Sequence, residues 1–412
     1  MTDLLIVGQG FTGLFAAVLA AQRGARTTLI AAGRGGLSLS HGCIDVRRGG
    51  ASPNDLRALP ADHPYRIADP AGLPDALAAF HVISAKAGLV YRGALGEDLR
   101  LTTALGGIHT TCLAPESLAR GRLEDTLPTT IGDIEGYRDF SAELAVRNLA
   151  RAGIEVVRSV SLPLIGEAPR RDLYAHDLAL RFDDPDWRTE LARAWKPRLG
   201  GVRRLGVPAV LGLRHHPEAI DSLEERLDLR LFEIPTLPPT VPGLRLERAL
   251  RQTALTAGVR LIEGARAVGL IDGRRGGRRV SGVVAQSAGG PRSYPSPAVL
   301  LATGGVLHGG LVARQNGRVQ ESVFDLPVTH PGARGLLTSE SAFGSQPFAK
   351  LGLRLDRRMR PLSESGGPFF ENLYAAGGVL AGSDRAIEGT RQGIDILTAH
   401  RAVECALGEG SA

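Results

Sequence analysis

Three glycines near the start of the chain, Gly8, Gly10 and Gly13, constrain its fold more than any other feature. They follow an apolar, strand-forming run over 3–7 (DLLIV) and precede an apolar helical segment over 12–23 that Gly24 ends. A second strand follows at 26–31 (RTTLIA). In such a turn the first glycine permits the tight bend, the second lets backbone approach a phosphate, and the third lets helix pack closely on strand. The helix then opens on unpaired N–H groups and a partial positive charge, both suited to an anion. G-x-G-x-x-G alone is a weak signal, because packing turns also use glycine. Set within strand, turn, helix and strand, it reads as a nucleotide or flavin phosphate site built from Gly8, Gly10, Phe11, Thr12 and Gly13.

Three further segments extend that reading. A buried strand over 298–302 runs into Thr303, Gly304 and Gly305, as where a strand crosses back beneath a flavin. Near the C-terminus, Glu371–Asn372–Leu373–Tyr374–Ala375–Ala376–Gly377–Gly378 leads through Gly382 and Asp384 to a helix over about 389–407. The start of that helix would stabilise negative charge on a reduced flavin. After the second strand, Ser38, Ser40 and Gly42 are small enough for backbone to approach a ring, and His41 among them is a candidate proton carrier. A structural role is the plainer reading of a single histidine. An acid at the end of the second strand usually holds the ribose of an adenosine. At Ala31 and Ala32 there is none. FMN, which lacks the adenosine, is therefore the preferred cofactor, and FAD with its ribose held another way is the alternative.

Composition narrows the function classes. The net charge is +6, but the only lysines are Lys86, Lys196 and Lys350 and the arginines are dispersed. With 5% aromatic residues, no nucleic-acid stacking platform is expected. Cys43, Cys112 and Cys405 form no CxxC pair, so no cysteine-ligated iron–sulfur cluster and no disulfide framework is expected. His215 and His216 lack further ligands at sensible spacing, and no metal site is read. The apolar stretch Phe11–Ala21 is too short to span a bilayer, and no basic leader precedes the first strand; a cytoplasmic protein is expected. Prolines and loop signals from residue 50 to about 240 separate two flavin-domain segments. The fold class is thus α/β: a Rossmann-like FAD/NAD(P)-binding domain over 1–50 and 242–412, with an inserted α+β substrate or cap domain over 51–241. Runs over 266–272 and 280–287 read as a hairpin pair.

Several local runs are distinctive beyond a generic flavoprotein. They are Ser40–His41–Gly42 with Asp45, His63–Pro64–Tyr65, Pro235–Thr236–Leu237–Pro238–Pro239–Thr240 leading to Gly243 and Arg245, Gly309–Gly310–Leu311–Val312 with Asn316–Gly317, and Gln346–Pro347. Together with the glycine loop and the 371–382 block, they make the chain resemble the B-subunit family of anaerobic glycerol-3-phosphate dehydrogenase nearly end to end. The resemblance implies an FMN-binding component of a three-part respiratory complex that oxidises sn-glycerol 3-phosphate to dihydroxyacetone phosphate and passes electrons to quinone or fumarate. It implies as partners an FAD-containing catalytic subunit and an iron–sulfur subunit that anchors the pair at the inner face of the cell membrane. Where the family is Gly-rich at the start of the last helix, this chain has Thr390, Arg391 and Gln392 between Gly389 and Gly393. Arg391 thereby becomes a candidate cation beside the flavin or substrate. His330 and Arg334, in the loop THPGARG, are candidates for the base and the phosphate clamp. Two other classes remain open: a stand-alone enzyme of the fumarate-reductase or aspartate-oxidase type, and a non-catalytic assembly subunit that keeps the flavin fold.

Overall fold

The computed structural model describes residues 2–49, 51–156, 158–166, 172–271, 278–329 and 337–408. The chain forms two compact units: Met1–Gly36, Asp45–Ile83 and Leu250–Ala412 make the first, Leu37–Ile44 and Ser84–Ala249 the second.

The first unit is built on a five-stranded parallel sheet. Its order is Arg260–Glu263, β2 (Thr27–Arg34), β1 (Leu4–Gln9), Val299–Leu301 and Leu373–Ala375. The central strands are apolar on both faces, as a sheet covered on both sides requires: Leu4, Leu5, Ile6, Leu29, Ile30 and Val299 to Leu301 are all buried. Helix α1 (Phe11–Gln22) is apolar around its whole circumference and buries every residue from Phe11 to Ala20. It packs on β1 and on the last helix, Arg391–Leu407. The expected hairpin pair forms, Arg266–Leu270 against Gly282–Ser287, and a further strand, Gly290–Pro295, extends it to a three-stranded antiparallel sheet. Its third strand carries Pro291 and Pro295, which mask it as a strand in sequence; it lies at the sheet edge, where missing N–H donors are tolerated. Asn372 ties this sheet to the strand Leu373–Ala375, accepting from Val280 N at 2.8 Å and donating to Val280 O at 2.7 Å.

The division between units falls elsewhere than at residues 50 and 242. Segment 45–83 belongs with the nucleotide-binding sheet because its apolar faces pack there. Phe80 lies against Phe11 and Phe15, and the Tyr65 hydroxyl donates to Val46 O at 2.6 Å. His63 Nε2 lies 3.1 Å from Glu388 Oε2.

The second unit has the internal topology that the sequence left open. A four-stranded parallel sheet runs Arg230–Ile234, Arg204–Pro208, Thr129–Ile134, Arg158–Leu162. Ala142–Arg151, Ala175–Phe182, Pro185–Trp195 and His216–Leu227 are its main helices, and Phe182, Trp195, Leu205 and Leu223 are fully buried in its core. Two small antiparallel pairs complete it: Tyr91–Gly93 with Leu113–Pro115, and Leu99–Thr102 with Ile108–Thr111. The TLPP run has a structural task. Thr240 N donates to Ser38 O at 2.8 Å, and Thr240 Oγ1 donates to Ser40 O. A Cβ on Gly243 would fall 2.0 Å from Leu37 O, so only glycine fits. Just beyond it, Arg245 grips buried Glu233 through both carboxylate oxygens, at 2.5 and 2.9 Å, and Glu233 also accepts from Leu211 N at 2.9 Å.

Removing one partner of such a buried pair strands the other charge. Glu233→Ala is expected to destabilise the protein by about 3–5 kcal/mol, read as a lower urea midpoint than wild type.

Candidate functional site

The glycine loop divides its labour among backbone atoms. Gly8 has φ of +111°, and a Cβ there would lie 2.3 Å from Ala302 O; a Cβ on Gly13 would lie 1.8 Å from Gly8 O. These two glycines let β1, α1 and the strand Val299–Leu301 approach at backbone distance. Gly10 differs: no atom lies within 4 Å of the position its Cβ would take. It is also the N-cap of α1, in extended conformation, with no side chain capping the helix. Side-chain oxygens normally satisfy the first N–H groups of a helix. Here those groups are left to face an open approach, the arrangement that binds phosphate.

Other segments named from sequence converge on this loop. Thr303 Oγ1 is buried and has no hydrogen-bond partner. A Cβ on Gly305 would meet Gly378 O at 2.8 Å, and one on Gly377 would meet Thr12 Oγ1 at 2.2 Å. Thr12 Oγ1 donates to Asp395 Oδ1 at 2.9 Å, and Gly377 N donates to Thr398 Oγ1 at 3.0 Å. Gly8, Gly10, Thr12, Gly13, Thr303–Gly305 and Gly377–Gly378 thus form one cluster around the start of α1, with Phe11 buried in the core beneath it.

Not every expected residue joins it. The carboxylate of Asp384 is occupied as a helix cap, accepting from Ile387 N at 3.3 Å and from Ser345 Oγ at 2.6 Å. Arg391 is exposed, and its carbonyl accepts from the Arg385 guanidinium. Arg385 pairs with Asp395 at 2.6 Å, and a Cβ on Gly378 would lie 2.9 Å from its Nη1. The cation beside the C-terminal glycines is therefore Arg385. Ser38, Ser40, His41 and Gly42 belong to the second unit. Ser38 and Ser40 offer their carbonyls to Thr240, while Gly42 N donates to Ser40 Oγ at 3.1 Å and Gly42 O accepts from Tyr91 Oη at 2.7 Å. His330 and Arg334 lie outside the described residues.

The sequence reading missed two neighbours of the loop. His308 packs against Gly36 and Gly304, whose added Cβ atoms would both lie 2.6 Å from its ring or Cβ. Glu263 closes the strand beside β2, in register with Ala31. Its Oε1 accepts from Gln9 Nε2 at 2.8 Å, and Gln9 stands between Gly8 and Gly10; its Oε2 accepts from Arg251 at 2.7 Å. The hydrogen bonds from Arg251 and then Gln9 hold the Glu263 carboxyl below its usual range, so it is ionised at neutral pH. An acid ending the third strand of a nucleotide-binding sheet is a legible signal, provided that strand's neighbour is known.

Residues 3–392 match the profile of a family described as FAD binding domain. A protein of Halobacterium salinarum, described as a probable B-subunit of anaerobic glycerol-3-phosphate dehydrogenase, is 30% identical over 97% of this chain and 96% of its own. The chain belongs to this B-subunit family, within the FAD binding domain family. A relative from Pectobacterium carotovorum, the B-subunit of its anaerobic glycerol-3-phosphate dehydrogenase, is 29% identical over 99% of both chains. Among solved structures, 3-ketosteroid delta1-dehydrogenase from Sterolibacterium denitrificans is 14% identical, covers 99% of both chains and superposes with a TM-score of 0.49. Membership in a B-subunit family implies a multi-subunit complex. Among the described residues no helix is long and apolar enough to cross a membrane.

The match to an FAD binding domain overturns the preference for FMN. That preference rested on one position, the end of β2, and a parallel sheet can present an acid from the adjoining strand instead. The cluster fits FAD on its own terms: an uncapped helix start, open space before Gly10 and an unpartnered Thr303 hydroxyl await polar atoms.

Because Gly10 faces open space, Gly10→Glu is expected to fold and to lose flavin, since it sets bulk and negative charge at the phosphate position. Circular dichroism melting together with the flavin-to-protein absorbance ratio checks this. A folded G10E protein that remains yellow would show the site to be misplaced.

Proposed function

We propose that this chain is the B-type flavoprotein component of a respiratory sn-glycerol-3-phosphate dehydrogenase, oxidising glycerol 3-phosphate to dihydroxyacetone phosphate with electrons passed on to quinone or fumarate. The observation that carries this reading is the uncapped start of α1 with Gly10 open before it, in a chain of the B-subunit family. The proposed partners are an FAD-containing catalytic subunit and an iron–sulfur subunit that holds the complex at the inner face of the cell membrane. On this reading the chain itself is cytoplasmic and peripheral.

When bound, FAD supplies a two-electron acceptor for the hydrogen on the substrate's secondary alcohol carbon. The chain's residues do the rest. The amides at the start of α1, with Gly8, Gly10, Phe11, Thr12 and Gly13, hold the diphosphate. Thr303, Gly304, Gly305, Gly377 and Gly378 admit the rest of the cofactor at backbone distance, with Ala32 as a further proposed contact. His330 takes the hydroxyl proton; Arg334 holds the substrate phosphate, with Arg391 a second candidate. Glu263 supplies the carboxylate that β2 lacks, accepting the ribose hydroxyls while Gln9 and Arg251 fix its orientation.

The main test is purification with the neighbouring gene products, mass identification of the released flavin, and glycerol 3-phosphate-dependent dye reduction. FAD and turnover are expected. A complex that holds FAD, ignores glycerol 3-phosphate and instead turns over a dicarboxylate would overturn the assignment.

A hydrogen bond to a charged group contributes about 1.5–3 kcal/mol. Glu263→Gln is therefore expected to weaken FAD by about tenfold to a hundredfold while leaving FMN affinity unchanged, measured by flavin fluorescence quenching on the apoprotein. Equal loss for both flavins would remove the ribose role.

A further inference from the structure

Far from the glycine loop in sequence, the second unit brings His41, Cys43 and His109 together. One donor atom from each, an imidazole nitrogen from either histidine and the Cys43 sulfur, lies within 4.8 Å of the other two. The His41 and His109 rings are 4.3 Å apart at their centroids. Cys43 is buried and is not in a disulfide. We propose that these three residues bind a divalent cation of zinc type. This assignment is independent of the flavin reading.

Local structure holds the three donors in place. His41, Gly42 and Cys43 form a tight turn in which Gly42 has φ of +82°. The Tyr91 hydroxyl pins that turn through Gly42 O, and Pro115 and Pro242 crowd Gly42 on its side-chain face. Immediately after Cys43, Ile44 N donates to Leu113 O at 2.8 Å, and Thr111 Oγ1 donates to Ile44 O at 3.0 Å. Thr111 ends the short strand Ile108–Thr111 that carries His109, which pairs with Leu101 on the neighbouring strand. Ladder and turn hydrogen bonds therefore fix the backbone on both sides of the cluster, and only side-chain torsions are left to adjust.

The chemistry suits zinc. Two imidazoles and a thiolate are borderline-soft donors, and three protein ligands with one open position is a common zinc arrangement. Zinc–nitrogen and zinc–sulfur bonds of about 2.0–2.3 Å bring donors somewhat closer than the 4.8 Å limit that these three satisfy, a shift within side-chain rotation. Without metal, the Nδ1 of His41 accepts from Cys43 N at 3.2 Å; binding replaces that hydrogen bond with a nitrogen–zinc bond. Binding exchanges the Cys43 thiol proton for a sulfur–zinc bond and releases that proton to solvent; a water fills the fourth position.

The test loads the purified flavoprotein with zinc, dialyses it, and measures metal per chain by mass spectrometry and the metal's neighbours by X-ray absorption at the zinc edge. One zinc per chain with one sulfur and two imidazoles is expected. Loss of a direct ligand should cost at least the roughly 100-fold that loss of an outer partner can cost, so His109→Ala and Cys43→Ser should each release zinc while retaining flavin. If Cys43→Ser fails to fold, His109→Ala decides. A wild-type protein that holds no zinc, an absorption spectrum without sulfur, or unchanged zinc retention in His109→Ala each overturns the site.

Discussion

The approach of three backbone segments at the start of α1 is the constraint on which the rest of the molecule depends. Gly8 meets Ala302, and Gly13 meets Gly8, at distances no side chain permits. This closeness aligns β1, α1 and the strand Val299–Leu301 so that the first N–H groups of the helix emerge together at one point. Gly10 is free of that packing duty, which is why it can stand at the exposed edge of the same turn. Two glycines create the geometry and the third leaves it accessible.

Each unit is braced internally by hydrogen bonds between segments distant in sequence. Asp395, from the last helix, accepts from Thr12 and pairs with Arg385, so the C-terminal glycines, the first helix and a cation form one hydrogen-bonded group. In the second unit, the Thr240–Gly243 run clamps residues 37–40 by backbone carbonyls, and the Arg245–Glu233 pair anchors the helix that follows. The run that made the chain distinctive in sequence is thus a structural brace. Its prolines and glycine are there for shape, and its threonine for hydrogen bonds.

Much of the first unit was legible because its signals are local. Apolar strands, the glycine turn, and the helix that runs to Leu407 each depend on residues within one element. The third strand of the antiparallel sheet was not legible, because two prolines hide an edge strand that only its neighbour reveals. Segment 51–83 was placed with the wrong unit for a related reason: its prolines read as loop, and what assigns it is Phe80 against Phe11 and Phe15. Arg391 drew notice by standing where glycines were expected, yet the guanidinium that reaches Gly378 belongs to Arg385, six residues earlier, because the short helix opened by Asp384 turns the chain back.

The amino-acid sequence by itself determined the glycine turn between β1 and α1 and the family, since these rest on residue types at fixed short spacings. Only the tertiary structure decided which acid stands beside the loop, which arginine reaches the C-terminal glycines, and that His109 meets His41 and Cys43. Each of those pairings joins separate elements, and strand order and helix packing, which no spacing encodes, determine which side chains from distant segments come within bonding distance.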